Sequence, residues 1–290
     1  MNKFNIVVAS GKGGVGKSMI ASSLAILFSK KNRVLALDCD VDAPNLDIWL
    51  GKGGEWDETK RLKLVSLPKI DYNKCNGCGK CAKNCQFGAL KMKDNKPKIN
   101  NFICEGCGVC KEVCPEGAIT MEKTNNAYIK SKITEFGFPL ITGQLIPGFT
   151  GSGKIVEKIK RQAENYQYDV QIIDSSPGTG CPVNAAIRDA NFVVLVVEPS
   201  LSGFADIKNS LEVIKHFNIQ HGVVINKWDL NEKITKKIKS FFKAKILGQI
   251  SYNQDIFKKI SNFKPIVKTD LFTKKEINDV FEKLKQVILN

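Results

Sequence analysis

The chain has 290 residues, 43% of them hydrophobic, and its 44 lysines and arginines against 29 acidic residues give a formal net charge of +15. This composition excludes a disordered polypeptide, and the length accommodates one large α/β domain with a small additional module. Because only four basic residues are arginines, and nucleic-acid interfaces typically show clustered arginine, a solvated lysine surface explains the charge better and we expect no nucleic-acid partner.

The first predicted elements are a strand over residues 3–9 and a helix over residues 17–31, joined by a glycine-rich loop. The loop sequence Ser-Gly-Lys-Gly-Gly-Val-Gly-Lys-Ser fits the G-x4-G-K-S pattern of a phosphate-binding P-loop. Its glycines let backbone N–H groups point at phosphate oxygens, its last lysine reaches the terminal phosphates, and its hydroxyl is a ligand for Mg²⁺. The expected nucleotide-binding residues here are Gly11, Lys12, Gly13, Gly14, Val15, Gly16, Lys17 and Ser18.

A second predicted strand, residues 33–38, completes a strand-helix-strand unit, which implies a parallel sheet. From about residue 65 the chain becomes rich in cysteine, glycine and lysine, and this character lasts to about residue 124. We therefore expect an α/β fold with a mostly parallel sheet, formed by residues 1–64 and 125–290. Residues 65–124 are expected to form a small α+β module inserted into it.

Eight cysteines in this module form two copies of C-x2-C-x2-C-x3-C. Bacterial-type ferredoxins use this run to hold two 4Fe-4S clusters, with three close cysteines on one cluster and the fourth on the other. The alternative is zinc, because C-x2-C pairs also suit a tetrahedral site. The expected cluster ligands are Cys75, Cys78, Cys81 and Cys114 for the first set, and Cys85, Cys104, Cys107 and Cys110 for the second set.

The α/β rhythm resumes after the module. Residues 148–154 have the shape of a second P-loop, but Ile155 replaces the hydroxyl and no clear apolar strand leads into them, so we expect only a loop and a helix start. Later predicted helices cover residues 155–165, 204–217 and 275–289. Later predicted strands cover residues 170–174, 192–197, 222–226 and 246–250.

Nothing in the sequence predicts a membrane span. The longest apolar run, residues 192–197, is too short to cross a bilayer, and the N-terminal residues lack an apolar signal region. The last predicted helix has an apolar stripe, but its polar face lacks the strong basic bias of a membrane-surface helix. We expect a cytoplasmic protein without a membrane partner, in which cysteines bind metal rather than form disulfides.

A second lysine in the first glycine-rich loop, Lys12, makes the chain closely resemble the deviant P-loop ATPases that include MinD, ParA and the nitrogenase iron protein. Asp38 and Asp40 follow the second strand, as do the switch I carboxylates of that family. Asp174 begins Asp-Ser-Ser-Pro-Gly, which is similar to switch II. With its cysteine module, the chain looks like a MinD-superfamily ATPase that carries an inserted two-cluster ferredoxin domain, related also to the Mrp-type iron-sulfur carriers.

The resemblance implies a role for each matching residue. Lys12 would reach across a dimer to the partner's nucleotide, Lys17 would bind phosphate, and Asp40 would orient the attacking water; these three are the expected catalytic residues. The Mg²⁺ site would consist of Ser18, Asp38 and Asp174. Switch II would comprise Asp174, Pro177 and Gly178.

The base is less well defined. Asn226-Lys227-Trp228-Asp229 follows a predicted strand and fits the N-K-x-D pattern, whose carboxylate recognises guanine. The resemblance instead implies that Asn226 contacts adenine. We favour ATP over GTP, because several motifs agree in their order along the chain.

The expected cofactors are ATP, Mg²⁺ and two 4Fe-4S clusters. The expected function is ATP hydrolysis in a nucleotide-dependent homodimer, coupled to electron delivery to, or metallocluster assembly on, an acceptor metalloprotein. The alternative is a spatial-positioning ATPase of the MinD or ParA kind whose clusters sense redox state. Cys181, just beyond switch II, is either structural or has a redox or metal role.

Overall fold

The computed structural model describes residues 3–51, 53 and 55–289. Ten helices and thirteen strands lie within these residues. The strands are β1 Phe4–Ser10, β2 Val34–Cys39, β3 Glu58–Leu62, β4 Val65–Ile70, β5 Leu90–Lys93, β6 Lys96–Ile99, β7 Ile119–Thr124, β8 Ala127–Ile133, β9 Pro139–Leu145, β10 Val170–Ser175, β11 Phe192–Val197, β12 Gln220–Asn226 and β13 Ile246–Ile250. The helices are α1 Lys17–Ser29, α2 Leu46–Trp49, α3 Lys80–Lys83, α4 Val109–Glu112, α5 Ser152–Ala163, α6 Cys181–Ile187, α7 Leu201–His216, α8 Glu232–Phe242, α9 Asp255–Ser261 and α10 Phe272–Leu289.

Nine of the strands form one sheet, in the order β13-β12-β11-β1-β10-β2-β9-β8-β3. The strands from β13 to β9 are parallel to their neighbours, and β8 and β3 add an antiparallel edge. Because the central strands are buried on both faces, they are continuous apolar runs rather than alternating ones. This parallel core brings the carboxyl ends of β1, β2, β10, β11 and β12 to one edge, where ligands of such sheets bind.

Helices cover both faces of the sheet. α1 and α10 pack on one face with Ile6 and Val8 of β1, whereas α5, α6, α7 and α8 pack on the other face with Val7 and Ala9. The apolar stripe of α10 belongs to this core, since Ile277 and Leu284 are almost fully buried. Among the described residues, no helix is long and apolar enough to cross a membrane.

Residues 65–124 contain two strand pairs of their own. β4 pairs with β7 from Val65–Thr124 to Ile70–Ile119, and β5 pairs with β6 as a hairpin. The segment leaves the sheet after β3 and returns at β8, which are paired neighbours at its edge. Asn126, fully buried at this junction, accepts a hydrogen bond from the Leu64 N–H and donates one to the Thr150 carbonyl.

Three strands of the large sheet lie outside the sequence predictions: β3, β8 and β9. The expectation that no strand leads into residues 148–154 is wrong, because β9 ends three residues before them. The expected helix start is confirmed: α5 begins at Ser152 after Gly151, which has a φ of 100°.

Candidate functional site

The glycine-rich loop lies at the carboxyl edge of the sheet, between the end of β1 and the start of α1. Lys17 and Ser18 open the helix and are 6% and 8% exposed. Gly16 has a φ of 96°, a left-handed conformation that favours glycine, and a Cβ there would collide with the side-chain nitrogen of Asn226. That nitrogen donates to the Val15 carbonyl at 2.8 Å. The end of β12 thus holds the loop in a fixed curve around the helix N-terminus, which is a favourable place for an anion.

The carboxylates after β2 differ in their surroundings. Asp38 is 1% exposed, and its two oxygens accept hydrogen bonds from the backbone N–H groups of Asp40, Asn45 and Leu46. Burial, reinforced by the charge of Asp174, raises the pKa of Asp38 well above its ordinary value. In this conformation Asp38 therefore holds the loop after β2. Its predicted role in binding Mg²⁺ stays a prediction.

Asp40 faces the P-loop lysine. Its Oδ2 lies 3.8 Å from the Nζ of Lys17. Burial raises the pKa of Asp40, and the positive charge of Lys17 opposes this shift. The side chain therefore sits beside the group that is predicted to contact the terminal phosphates. Its predicted role in orienting an attacking water stays a prediction.

Asp174 is the penultimate residue of β10, which lies between β1 and β2, and its side chain is fully buried. Within the described part of the chain, neither of its oxygens has a hydrogen-bond donor of normal geometry. Burial raises the pKa of Asp174 to about 6, with the charge of Lys17 opposing the shift. Buried polar atoms normally have partners, so a carboxylate left in this condition beside a P-loop is suited to a hydrated Mg²⁺ ion.

The segment after Asp174 is tied to both neighbouring loops. The N–H of Gly178 donates to the Ser10 carbonyl at 2.9 Å, and the Ser176 hydroxyl donates to the Cys39 carbonyl at 3.0 Å. Gly178 has a φ of 89°. The predicted switch II is therefore in direct contact with the start of the P-loop and with the end of β2.

Lys12 is held within its own chain. Its Nζ lies 2.6 Å from Oε1 of Glu198 and 3.2 Å from the Ser200 hydroxyl. Lys227 bonds the other oxygen of Glu198 at 3.2 Å and the Gly14 carbonyl at 3.1 Å. Burial alone would raise the pKa of Glu198, but the hydrogen bonds from Lys12 and Lys227 lower it below its ordinary value. Glu198 is therefore an anion that restrains both lysines.

A cleft of about 560 Å³ joins these residues. It runs from the P-loop past Asp40 and Asn226 to the loop after β13, where Tyr252 and Asn253 line it. Asp229 is not among the lining residues, and its Oδ1 accepts a hydrogen bond from the Tyr252 N–H at 2.7 Å. In this conformation the carboxylate of N-K-x-D braces the loop after β13.

The eight module cysteines line two separate cavities. One is lined by all four cysteines of the first predicted set, and the other by all four of the second. In each set one cysteine is exposed, Cys78 and Cys107, respectively. Burial raises the pKa of Cys110 to about 11. In the described chain no group of three or more His, Cys, Asp or Glu residues converges closely enough to hold a metal ion.

The second cysteine set adjoins the segment between β9 and α5. The Thr150 hydroxyl donates to the Cys104 carbonyl at 3.5 Å, and Phe149 packs in an apolar cluster that contains Cys104. At the other end of this segment, a Cβ on Gly153 would lie 3.1 Å from the Cβ of Cys181. Residues 148–154, which resemble a second P-loop in sequence, therefore connect the cysteine module to the helix that follows switch II.

Sequence reasoning missed Glu198 and Lys227 as parts of this site. Glu198 is the first residue after β11, which lies beside β1, and only the strand order brings it to Lys12. Lys227 belongs to the N-K-x-D tetrapeptide, which was considered for its asparagine and aspartate. Tyr252 and Asn253 were also missed, although a short strand was predicted just before them.

Known proteins resemble the chain in three ways: in sequence over nearly the whole length, in sequence over a short part, and in fold. An uncharacterized protein of Methanocaldococcus jannaschii is 39% identical over 285 residues, covering 98% of this chain and 97% of that protein. A probable cytosolic Fe-S cluster assembly factor of Schizosaccharomyces japonicus is 36% identical over 86 residues, covering 22% of this chain and 14% of that protein. The septum site-determining protein MinD of Pyrococcus horikoshii, solved with Mg-ADP, shares the fold with a TM-score of 0.60 at 15% identity, over 99% of this chain and 98% of that chain.

The glycine-rich loop, the carboxylates at the strand ends and the mostly parallel sheet all occur inside one matched region. Residues 6–266 match the family described as the CobQ/CobB/MinD/ParA nucleotide binding domain. The match includes the cysteine-rich segment, which is enclosed between parts of the nucleotide-binding fold. The chain belongs to this family of P-loop nucleotide-binding proteins.

Proposed function

We propose that the protein is an ATP-hydrolysing iron-sulfur protein, in which a nucleotide-dependent homodimer delivers electrons to, or assembles a metallocluster on, an acceptor metalloprotein. The observation that carries this proposal is the arrangement of the eight module cysteines around two cavities, four in each, with one set joined to the nucleotide-binding domain at Cys104. The partial similarity to an Fe-S cluster assembly factor supports the same chemistry.

In this proposal the cleft binds ATP with Mg²⁺. The residues of the loop from Gly11 to Ser18 hold the phosphates, and Ser18 with Asp174 provides oxygen ligands for the ion, since both Asp174 oxygens lack donors in the described chain. Asn226 and the loop after β13 line the cleft where the base would lie. The bond between Asp229 and the Tyr252 N–H supports adenine over guanine, because that carboxylate is already engaged.

The cysteine residues fit two iron-sulfur clusters. Left-handed glycines follow corresponding cysteines in both runs: Gly77 and Gly79 have φ angles of 78° and 72°, and Gly106 and Gly108 have 64° and 83°. These glycines let each loop curve around its cavity without a side chain inside the turn. Bound clusters would supply one-electron redox chemistry. The protein's contribution would be to hold them apart from each other and near its surface.

A contiguous series of contacts supports coupling between nucleotide and the second set. Gly178 contacts the P-loop, α6 begins three residues later at Cys181, Cys181 packs on Gly153, and the preceding loop bonds the Cys104 carbonyl. A movement of switch II on γ-phosphate binding would therefore press on the segment that supports Cys104. Contact alone does not measure coupling, so the nucleotide dependence of the clusters is the decisive quantity.

Replacing Asp40 by alanine or asparagine is expected to leave ATP affinity within about threefold of the parent and to slow hydrolysis by about 100-fold, because a positioned acid-base group contributes roughly that factor. The asparagine variant keeps the size of the side chain and isolates its charge. Nucleotide binding is measured by calorimetry and hydrolysis by phosphate release. Hydrolysis at the parental rate in both variants would rule out the water-orienting role.

The anaerobically purified protein is expected to contain about eight iron and eight sulfide per chain, as two 4Fe-4S clusters require. Replacing both Cys78 and Cys81, or both Cys107 and Cys110, by serine should reduce each count to about four. Cys181→Ser, which lines neither cavity, serves as the control and should keep about eight. Stoichiometric zinc without iron-sulfur absorption after anaerobic reconstitution would contradict the iron-sulfur proposal.

The alternative function is a spatial-positioning ATPase. The two functions differ in whether ATP changes the properties of the clusters or changes binding to a membrane or DNA. We expect the reduction potential of at least one cluster, or its rate of transfer to an acceptor, to differ between ATP and ADP. Anaerobic redox titration with each nucleotide measures the potential. Unchanged potentials and transfer rates, together with ATP-dependent co-sedimentation on liposomes or DNA, would favour the positioning function.

A further inference from the structure

The hairpin of β5 and β6 has an unusual distribution of charge. Lys91 lies directly opposite Lys98 in the antiparallel register, and Lys93 lies opposite Lys96. Like charges placed directly opposite each other destabilise a strand pair. The hairpin therefore carries four lysines at a cost to its own stability. Lys96 and Lys98 contact Tyr72, but no ion pair of the described chain explains Lys91 and Lys93.

The hairpin is fixed against the first cysteine set. The ammonium group of Lys96 donates to the carbonyls of Tyr72 and Cys75. A Cβ on Gly77 would collide with the carbonyl of Asn95 at the hairpin turn, and Pro97 of β6 lines the first cavity. Lys80 lines the cavity that contains the exposed Cys78, and Lys96 bonds the Cys75 carbonyl beside it, whereas Lys91 and Lys93 lie on the opposite face of the hairpin from Pro97.

Further lysines extend this charge. Residues 69–98 contain eight lysines and two acidic residues, whereas residues 99–124 contain two lysines and four acidic residues. Glu116 also lines the first cavity, and it accepts a hydrogen bond from Asn76. Six exposed lysines of residues 69–98 form no ion pair within the described chain. Lys98 lies over the Tyr72 ring, and we call the other five the lysine face: Lys74, Lys80, Lys83, Lys91 and Lys93.

The two cysteine sets have different neighbours. The module meets the nucleotide-binding domain through Val65, Phe102 and Cys104, on the side of the second set. Both cavities are lined only by residues of the module, but these contacts with the nucleotide-binding domain lie beside the second set. An external protein would therefore reach the first set at Cys78 without displacing the contacts that join the second set to the nucleotide-binding domain.

We propose that the lysine face is the docking surface for an acidic electron-carrier protein, which it guides to the first cysteine set. This inference rests on the proposed iron-sulfur function. Charged groups at the rim of an interface accelerate association with a partner of opposite charge. A nucleic acid fits less well, because residues 65–124 contain no arginine.

The test measures association of the iron-loaded protein with an acidic plant-type ferredoxin as the probe. Lys91→Glu with Lys93→Glu places each new carboxylate opposite a lysine, which should stabilise the hairpin rather than unfold it. The matched control, Lys236→Glu with Lys239→Glu, makes the same change in net charge on the exposed face of α8. We expect the hairpin variant to associate about tenfold more slowly at low salt, with a weaker salt dependence, and the control to stay within about twofold of the parent.

Equal slowing of both variants, or no saturable binding of the ferredoxin, would overturn the proposal. Binding of a DNA duplex that only the hairpin variant loses, without ferredoxin binding, would also overturn it and assign the face to nucleic acid. Iron content is recorded for every sample. Protein that contains no iron after reconstitution would contradict the proposed function. Iron-loaded protein whose association rate is unchanged by the hairpin substitutions would contradict the docking surface alone.

Discussion

Lys17→Ala is expected to weaken ATP binding by at least about 100-fold and to abolish measurable hydrolysis, because charge-assisted hydrogen bonds to the terminal phosphates are lost. Lys17 is almost fully buried at the start of α1, and among the described residues its ammonium group forms an ion pair with Asp40. Calorimetric titration with ATP and Mg²⁺ measures the affinity, and phosphate release measures the rate.

Lys154→Ala is the matched control for this prediction. Lys154 occupies the corresponding position of the second G-x4-G-K sequence, after a strand and at the start of α5, where Gly151 has a φ of 100° close to the 96° of Gly16. Its loop contacts the cysteine module rather than the cleft. We expect parental ATP affinity in this variant. If Lys154→Ala loses ATP binding and Lys17→Ala retains it, the nucleotide binds at residues 148–154 and the prediction for the first loop is wrong.

Local motifs predicted the nucleotide-binding fold well, and the membership in the MinD/ParA family is confirmed. The P-loop is a continuous segment whose glycines and lysine must be adjacent in sequence, so its position follows from the motif. β11 is buried on both faces and is therefore an uninterrupted apolar run, which predicted its bounds correctly. Asp174 was identifiable because it lies at the carboxyl end of a buried strand, one residue before β10 ends.

The outer part of the sheet was not predictable in the same way. β3 is an edge strand with the sequence Glu-Thr-Lys-Arg-Leu, and it is mostly exposed. β8 carries Lys130 and Lys132, and the second of these is buried, which obscures its apolar pattern. β8 is held by pairing with β9, and β3 is held by pairing with β8. The sequence contains no local signal for such pairing, since it is determined by the tertiary fold.

The contact between Lys12 and Glu198 in the candidate site also depends on the tertiary fold and has no local signal in the sequence. The two residues are 186 positions apart, and they meet because β1 and β11 are neighbours in the sheet. The cysteine sets were proposed from spacing alone, and each set lines one cavity. Their occupation by clusters stays a prediction, because the spacing of thiols does not by itself distinguish iron-sulfur clusters from zinc.

Lys12→Ala is expected to abolish ATP-dependent dimerisation and to slow hydrolysis by about 100-fold or more, comparable to the loss of one transition-state hydrogen-bond donor. In this structure the ammonium group of Lys12 lies 2.6 Å from Glu198 and 3.2 Å from the Ser200 hydroxyl, both in its own chain. Dimerisation would therefore require Lys12 to exchange Glu198 for the partner's phosphates. Glu198 and the partner's phosphates would then compete for the ammonium group of Lys12.

This competition gives Glu198→Gln the opposite effect. The substitution keeps the size of the side chain and removes the charge, so Lys12 is released and the dimer should form at a lower ATP concentration. Glu212→Gln on α7, which removes an exposed ion pair with Lys215, is the control and should behave as the parent. Light scattering with a non-hydrolysed ATP analogue measures the dimer. If Lys12→Ala dimerises and hydrolyses like the parent, Lys12 acts only within its own chain, and its bond to Glu198 is a structural ion pair of the monomer.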